Sequence, residues 1–285
     1  MSASVLYDYP GPKTRARHRT YSVVTVVVLL AAVVWFFWRL QDHGQLEYDK
    51  WEAFVTPDYV RVILVDGLLQ TLKMAAFAIV FAVAFGFVFG VGKLSEHAWA
   101  RWPSWLVVEF FRAIPVLLLM VFIWYALGIK ADNSAFWAVV MALTLYNGSV
   151  LAEVLRAGVL AVPKGQSEAA YAIGMRKTQV MMLIMLPQAV KIMLPAIISQ
   201  CVVALKDTAL GIYVVAPGLT YVVKQVYLEF HNQVPAILVV GSLYILVNLL
   251  LTGLATLLQR RYVGEKKQLD VPMVGNAATR PKTIA

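Results

Sequence analysis

The stretch VPKGQSEAAYAIGMRKTQVMMLIMLPQAVKIMLP, Val162 to Pro195, decides how the rest of the chain is read. It is a polar, helix-prone segment set between very apolar spans. Glu168, Ala169, Ala170, Tyr171 and Ala172 favour a short helix, with a start signal at Gln166-Ser167. Gly174 can take a positive φ and end that helix, so the chain can turn into a second one. Lys164, Arg176 and Lys177 keep the segment in water and favour the cytoplasmic side of a membrane. The small Ala169 and Ala170 beside Glu168 would let another protein approach the backbone closely.

Working outward, hydrophobic residues make up 60% of the 285-residue chain and charged residues only 14%. Soluble domains carry about a quarter charged residues, so this composition indicates a polytopic, all-α membrane bundle. The net charge of +9 does not point to nucleic acid, because the basic residues crowd the tails and alternate loops. Cys201 is the only cysteine, which excludes an internal disulfide and a cysteine-based metal site. His18, His43, His97 and His231 lack ligand spacing, and no metal site is expected. No Walker GxxxxGK[ST] motif is present, so no cofactor is expected and any ATP chemistry belongs to another chain.

About six spans are expected: Tyr21 to Trp38, then about Gly67 to Leu94, Leu106 to Leu127, Phe136 to Ala157, Ala189 to Leu210 and Ala236 to Leu258. Residues 1–20 read as a basic cytoplasmic tail, 21–64 as the first span and an outside loop, 65–260 as the permease-like body, and 261–285 as a second cytoplasmic tail. The first apolar run is longer than a signal-peptide core and is expected to be retained. A short interfacial helix is expected around Tyr48 to Phe54, and a partly inserted or interfacial one within Gly211 to Val234, which Pro217-Gly218 and Pro235 break. Gly86, Gly90 and Gly92 permit close packing of the second span. Lys13, Arg15, Arg17, Arg19, Lys164, Arg260 and Arg261 outweigh the basic residues of the outside loops. Both tails and the central loop therefore fall on the cytoplasmic side of the cell membrane.

Charges inside a bilayer are costly and usually face a partner or a cavity. Glu109 and Arg112, three apart on one helix face, read first as a structural ion pair. Asn147 falls deep enough in its span to need a hydrogen-bond partner, and Glu153 and Arg156 form a second pair nearer the cytoplasm. Lys206, Asp207 and Thr208 lie in the outer half of the fifth span, and adjacent residues cannot all face one way. An amino acid needs its carboxylate and ammonium satisfied; Lys206 or Arg112, with Glu153 or Asn147, are the available chemistry, and Thr208 joins them as a candidate path residue. No catalytic constellation appears: there is no HExxH, no GxSxG and no His-carboxylate cluster.

Glu-Ala-Ala, Gly174 six residues after Glu168, and Ile184-x-Leu186-Pro187 resemble the cytoplasmic EAA loop of ABC-importer permeases. The flanks AEVLRAGVLAVPKGQSEAAYAIGM, LPQAVKIMLPAI and ALKDTAL resemble the polar amino acid group of that family. FRAIP, Phe111 to Pro115, is similar to that group's third-helix motif, with Ala113 and Ile114 where Gly and Thr are usual. The resemblance covers about residues 65 to 260 and implies a type I ABC-importer permease fold. It further implies a coupling loop carried by Gly165, Glu168, Ala169, Ala170, Gly174, Leu186 and Pro187. The partners it implies are two ATP-binding cassette subunits, an extracytoplasmic amino acid-binding protein, and a second permease copy or homologue, all in membrane lipid. VLYDYPGPK and the KDTAL region also resemble actinobacterial glutamate permeases, implying glutamate, then aspartate or glutamine. The competing reading, a self-contained secondary transporter or channel, would need two related halves with paired discontinuous helices. One docking loop and no internal repeat speak against it.

Overall fold

The structure, a computed structural model, describes residues 11–263, and the described chain is helical throughout with no strand. The outer parts of both expected tails, residues 1–10 and 264–285, lie outside the described residues. Helix α1, Pro12–Asp42, begins within the basic segment, so Lys13 to Arg19 continue directly into the first apolar run. Leu40 is the one buried side chain among its described residues, which sets α1 apart from the core. The expected interfacial helix is present as α2, Tyr48–Trp51, extended by a 3-10 turn over Glu52–Phe54.

The second span is a continuous helix over Pro57–Leu94. It comprises α3, Pro57–Val62, a π-helical section over Ile63–Leu69, and α4, Gln70–Leu94. The expected third span is not one helix. It is α5, Ala98–Ala113, and α6, Val116–Leu127, bent by 102°. Ile114 precedes Pro115 and is driven into extended backbone, at φ −85° and ψ 129°. Helix α5 also starts earlier than the expected Leu106, at Ala98. At 1.5 Å per residue, the 12 residues of α6 reach about 18 Å, short of a hydrocarbon core of about 30 Å.

Helix α7, Ser134–Leu160, is the most buried of the long helices and the centre of the body. Met74 and Ala78 of α4, Leu119, Met120 and Ile123 of α6, and Ala138, Val139, Val140, Ala142 and Leu143 of α7 belong to the principal apolar cluster. The contact between α4 and α7 is close because glycine supplies it. A Cβ on Gly86 would lie 2.7 Å from Leu151 Cβ and 3.0 Å from the Gly148 carbonyl oxygen; one on Gly90 would lie 2.8 Å from Leu155. Gly92 serves a different neighbour, the Ser104 hydroxyl of α5, 2.1 Å from such a Cβ. Gly86→Val is expected to force α4 off α7 and cost about 1–3 kcal/mol. Gly253→Val, with no heavy atom within 4 Å of the added Cβ, is expected to be neutral. Thermal unfolding of both variants in detergent checks this, and equal midpoints would refute the close-packing account.

After α8, Lys164–Ala172, the chain forms one continuous helix from Lys177 to Val214. Its parts are α9, Lys177–Gln179, a π section over Val180–Met185, α10, Leu186–Asp207, and a 3-10 end over Thr208–Val214. Pro187 directly follows the π section and Pro195 lies further along, so both are inside the continuous helix. The expected partly inserted segment is α11, Leu219–Phe230, preceded by Pro217-Gly218. Pro235 does not break the chain as expected: it lies in the opening turn of α12, Gln233–Val263, where proline is tolerated.

Candidate coupling loop and polar path

The loop between α7 and α10 is built as two helices around one glycine. Helix α8 follows Pro163, and the Ser167 hydroxyl donates to the Lys164 carbonyl at 2.8 Å. At its end the Met175 N–H donates to the Ala170 carbonyl, 3.1 Å, and the Gly174 N–H to the Tyr171 carbonyl, 2.9 Å. That pair of bonds is a Schellman closure, which needs a left-handed residue after the cap. Gly174 supplies it at φ +84°, in open space where a Cβ would meet nothing within 4 Å. The backbone sign alone therefore demands glycine. Helix α9 then starts with the Gln179 side chain accepting the Arg176 N–H at 2.8 Å.

The base of this loop is anchored and its tip is free. Val162, Leu155, Val159 and Ala189 form a buried cluster against which Leu186, Met181 and Met185 pack. Lys177 forms an ion pair with Glu96 of the α4–α5 connection. The two alanines after Glu168 have different roles. Ala170 turns inward at 5% exposure, whereas Ala169 is exposed with Glu168, Gly165 and Pro187. Tyr171 and Ile173 are also exposed, at 46% and 78%. The loop thus offers a small-residue, partly apolar face with a carboxylate on it.

The polar residues of the spans fall into three places. At the loop-side ends of α4, α5 and α7, Lys93 Nζ pairs with Glu109 Oε1 at 3.1 Å and with Glu153. The other Glu153 oxygen accepts from Arg156 Nε at 2.9 Å, and Arg112 reaches Glu109 at 3.5 Å. The side chain of Lys93 is only 5% exposed, so the charge that joins three helices is the most buried one. Helical spacing places Glu109 with Arg112 and Glu153 with Arg156 but does not bring Lys93 to either. Its two partners are 16 and 60 residues away, and helical spacing does not reveal them.

Deeper in the body Asn147, 1% exposed, donates to the Leu143 carbonyl at 3.0 Å and accepts from Gln200 Nε2 at 2.5 Å. The partner Asn147 needed is thus Gln200 of α10, a residue the sequence reading did not single out. The third place lies between α10 and α12, where Lys206, Tyr244, Asn248 and Thr252 line a cavity of about 440 Å³. Lys206 is exposed there, and Asn248 Oδ1 is buried without a hydrogen-bond partner among the described residues. Thr208, 2% exposed, turns inward, donating to the Leu205 carbonyl at 2.6 Å with Tyr244 Oη at 3.4 Å. The structure therefore brings Arg112 and Glu153 into one network and leaves Asn147, Lys206 and Thr208 outside it.

The chain is similar to known transport proteins. The family described as "Binding-protein-dependent transport system inner membrane component" matches residues 82–264. The glutamate transport system permease protein of Corynebacterium glutamicum is 42% identical over 229 residues, 78% of this chain and 83% of that one. A glutamate/aspartate import permease protein of Escherichia coli is 33% identical over 209 residues, 70% and 92% of the two chains. A crystal structure of an amino acid ABC transporter with histidines superimposes with TM-score 0.67 and 28% identity, covering 72% of this chain and 95% of that one. An inward-facing methionine ABC transporter, 22% identical with TM-score 0.63 over 73% of this chain and 99% of that one, shares the fold. The fold is that of type I ABC-importer permeases, and the chain belongs to the inner-membrane components of binding-protein-dependent transport systems.

Proposed function

We propose that this chain is the permease subunit of an ATP-driven importer for a polar amino acid, with glutamate ahead of aspartate and glutamine. The observation that carries the reading is the α8–Gly174–α9 loop: a rigid base, a left-handed glycine turn and an exposed Glu168/Ala169 face. A loop of that build can transmit motion from a docked partner into α7 and α10, which flank it. Two ATP-binding cassette subunits supply hydrolysis, an extracytoplasmic binding protein supplies substrate, and a second permease copy or homologue completes the path. The permease itself is non-catalytic and binds no cofactor of its own. The names of the relatives above support glutamate as substrate. Asn147 with Gln200, the Glu153 and Arg112 network, and Lys206 and Thr208 of the fifth span are the polar groups proposed to lie along the way.

The test is uptake into proteoliposomes holding the permease, its ATPase and the binding protein. ATP-dependent glutamate accumulation, competed by aspartate or glutamine before arginine, is the expected result. Accumulation without ATPase would favour a secondary transporter instead. In the proposed orientation both tails and the α8 loop are cytoplasmic. With Cys201 removed, a cysteine at Tyr48 should react with an impermeant reagent in intact cells, and one at Gln166 should not. Labelling at Gln166 alone would invert the scheme.

A further inference from the structure

We propose that the cleft at the loop-side ends of α4, α5 and α7 is a binding site for the phosphodiester headgroup of an anionic phospholipid. The cleft has a volume of about 490 Å³ and is lined by Lys93, Arg101, Arg156, Glu109, Glu153 and the indoles of Trp102 and Trp105. Three cations thus face two carboxylates. Lys93 and Arg156 are already paired, with Glu109 and Glu153 as their partners. Among the described residues no carboxylate pairs with Arg101, so one guanidinium charge is left uncompensated in the lining. A phosphodiester carries one negative charge and presents oxygens that a guanidinium can bind in two-pronged fashion.

The walls indicate where that phosphate comes from. Trp99, Trp102 and Trp105 recur every third residue along α5 and are 78%, 63% and 45% exposed. Indoles stacked this way on one helix side concentrate at the headgroup level of a bilayer, and basic pockets between membrane helices at that depth hold anionic headgroups. Trp102 and Trp105 meet edge to face at 5.9 Å, forming a fixed apolar wall for the glycerol and first acyl carbons. A free amino acid fits less well: its ammonium needs an unengaged carboxylate, and both in the cleft are held by Lys93, Arg112 and Arg156. The placement rests on the reading that this end of the helices lies at the membrane interface on the coupling-loop side.

The purified chain in neutral detergent, titrated with phosphatidylglycerol or phosphatidylcholine and read by native mass spectrometry, tests the site. This binding needs neither ATPase nor uptake, so the importer reading and the lipid site can fail separately. One phosphatidylglycerol is expected to be retained in preference to phosphatidylcholine. Arg101→Gln should weaken that retention about fivefold, the share of one basic residue near an anionic surface. Trp102→Ala should weaken it further, while Lys164→Gln, an exposed charge elsewhere on the same side, should leave it unchanged. Equal retention of both lipids, or unchanged phosphatidylglycerol binding in Arg101→Gln, would overturn the proposal. Displacement of the lipid by free glutamate would overturn it too, by assigning the cleft to an amino acid.

Discussion

Gly174→Val and Glu168→Lys are expected to insert and fold normally, yet fail to hold the ATPase. At φ +84° a β-branched residue is strained by about 1–3 kcal/mol, and the Schellman closure through Met175 and Gly174 is the contact that would yield. Helix α9 would then leave at another angle, and the Glu168 face would lose its fixed relation to Met181 and Leu186 below. Nothing crowds Gly174, so the defect is confined to backbone direction. Glu168 is exposed, and reversing its charge leaves the fold intact while repelling a cation or helix N-terminus presented by the partner. Gly253→Ala is the matched control, because Gly253 lies outside the loop, has no positive φ and has open space around it. Co-purification of the ATPase should fall to background in the first two variants and remain at wild-type level in the third.

Lys93→Met is expected to be the most damaging single change in the body. It removes the one cation shared by Glu109 and Glu153 and leaves the two carboxylates each with only the arginine of its own helix, Arg112 or Arg156. Breaking a buried ion pair costs about 3–5 kcal/mol. The Glu153 side chain is 19% exposed and that of Glu109 41%, so solvent screening puts the loss at the lower end of that range. Glu153→Ala should also lose stability, leaving Arg156 and half of Lys93 without a partner. The combination Lys93→Met with Glu153→Gln should recover part of the loss, because it removes the like-charge approach of Glu109 and Glu153 and leaves Arg156 a neutral acceptor. Unfolding in detergent alongside uptake reads both consequences. If Lys93→Met matched wild type in both, the network would have no structural or transport role.

How much of this was legible in the sequence follows from the range of each interaction. The conformation of the α8–Gly174–α9 loop was readable, since its helix, glycine turn and second helix are local and Gly174 has a single backbone demand. The span count was readable from hydropathy, but the break between α5 and α6 was not. The apolar run continues through Ile114-Pro115, and hydropathy does not register a dihedral restriction. Pro235 misled in the opposite sense, because a proline in an opening turn leaves a helix whole. Pairs three apart, Glu109 with Arg112 and Glu153 with Arg156, could be read from helical spacing. Lys93 with Glu153, and Asn147 with Gln200, depend on which helices become neighbours. Gly86 and Gly90 suggested close packing but not the α7 face they meet.

The most direct test of the central claim, that ATP-driven motion enters this chain through the α8–Gly174–α9 loop, is site-specific photo-crosslinking in the reconstituted importer. A photoreactive residue at Ala169 or Ile173, both exposed on the loop, should capture the ATPase. The same probe at Tyr48, 70% exposed at the other end of the helices, should not. Capture at Tyr48 with none at Ala169 or Ile173 would contradict the account.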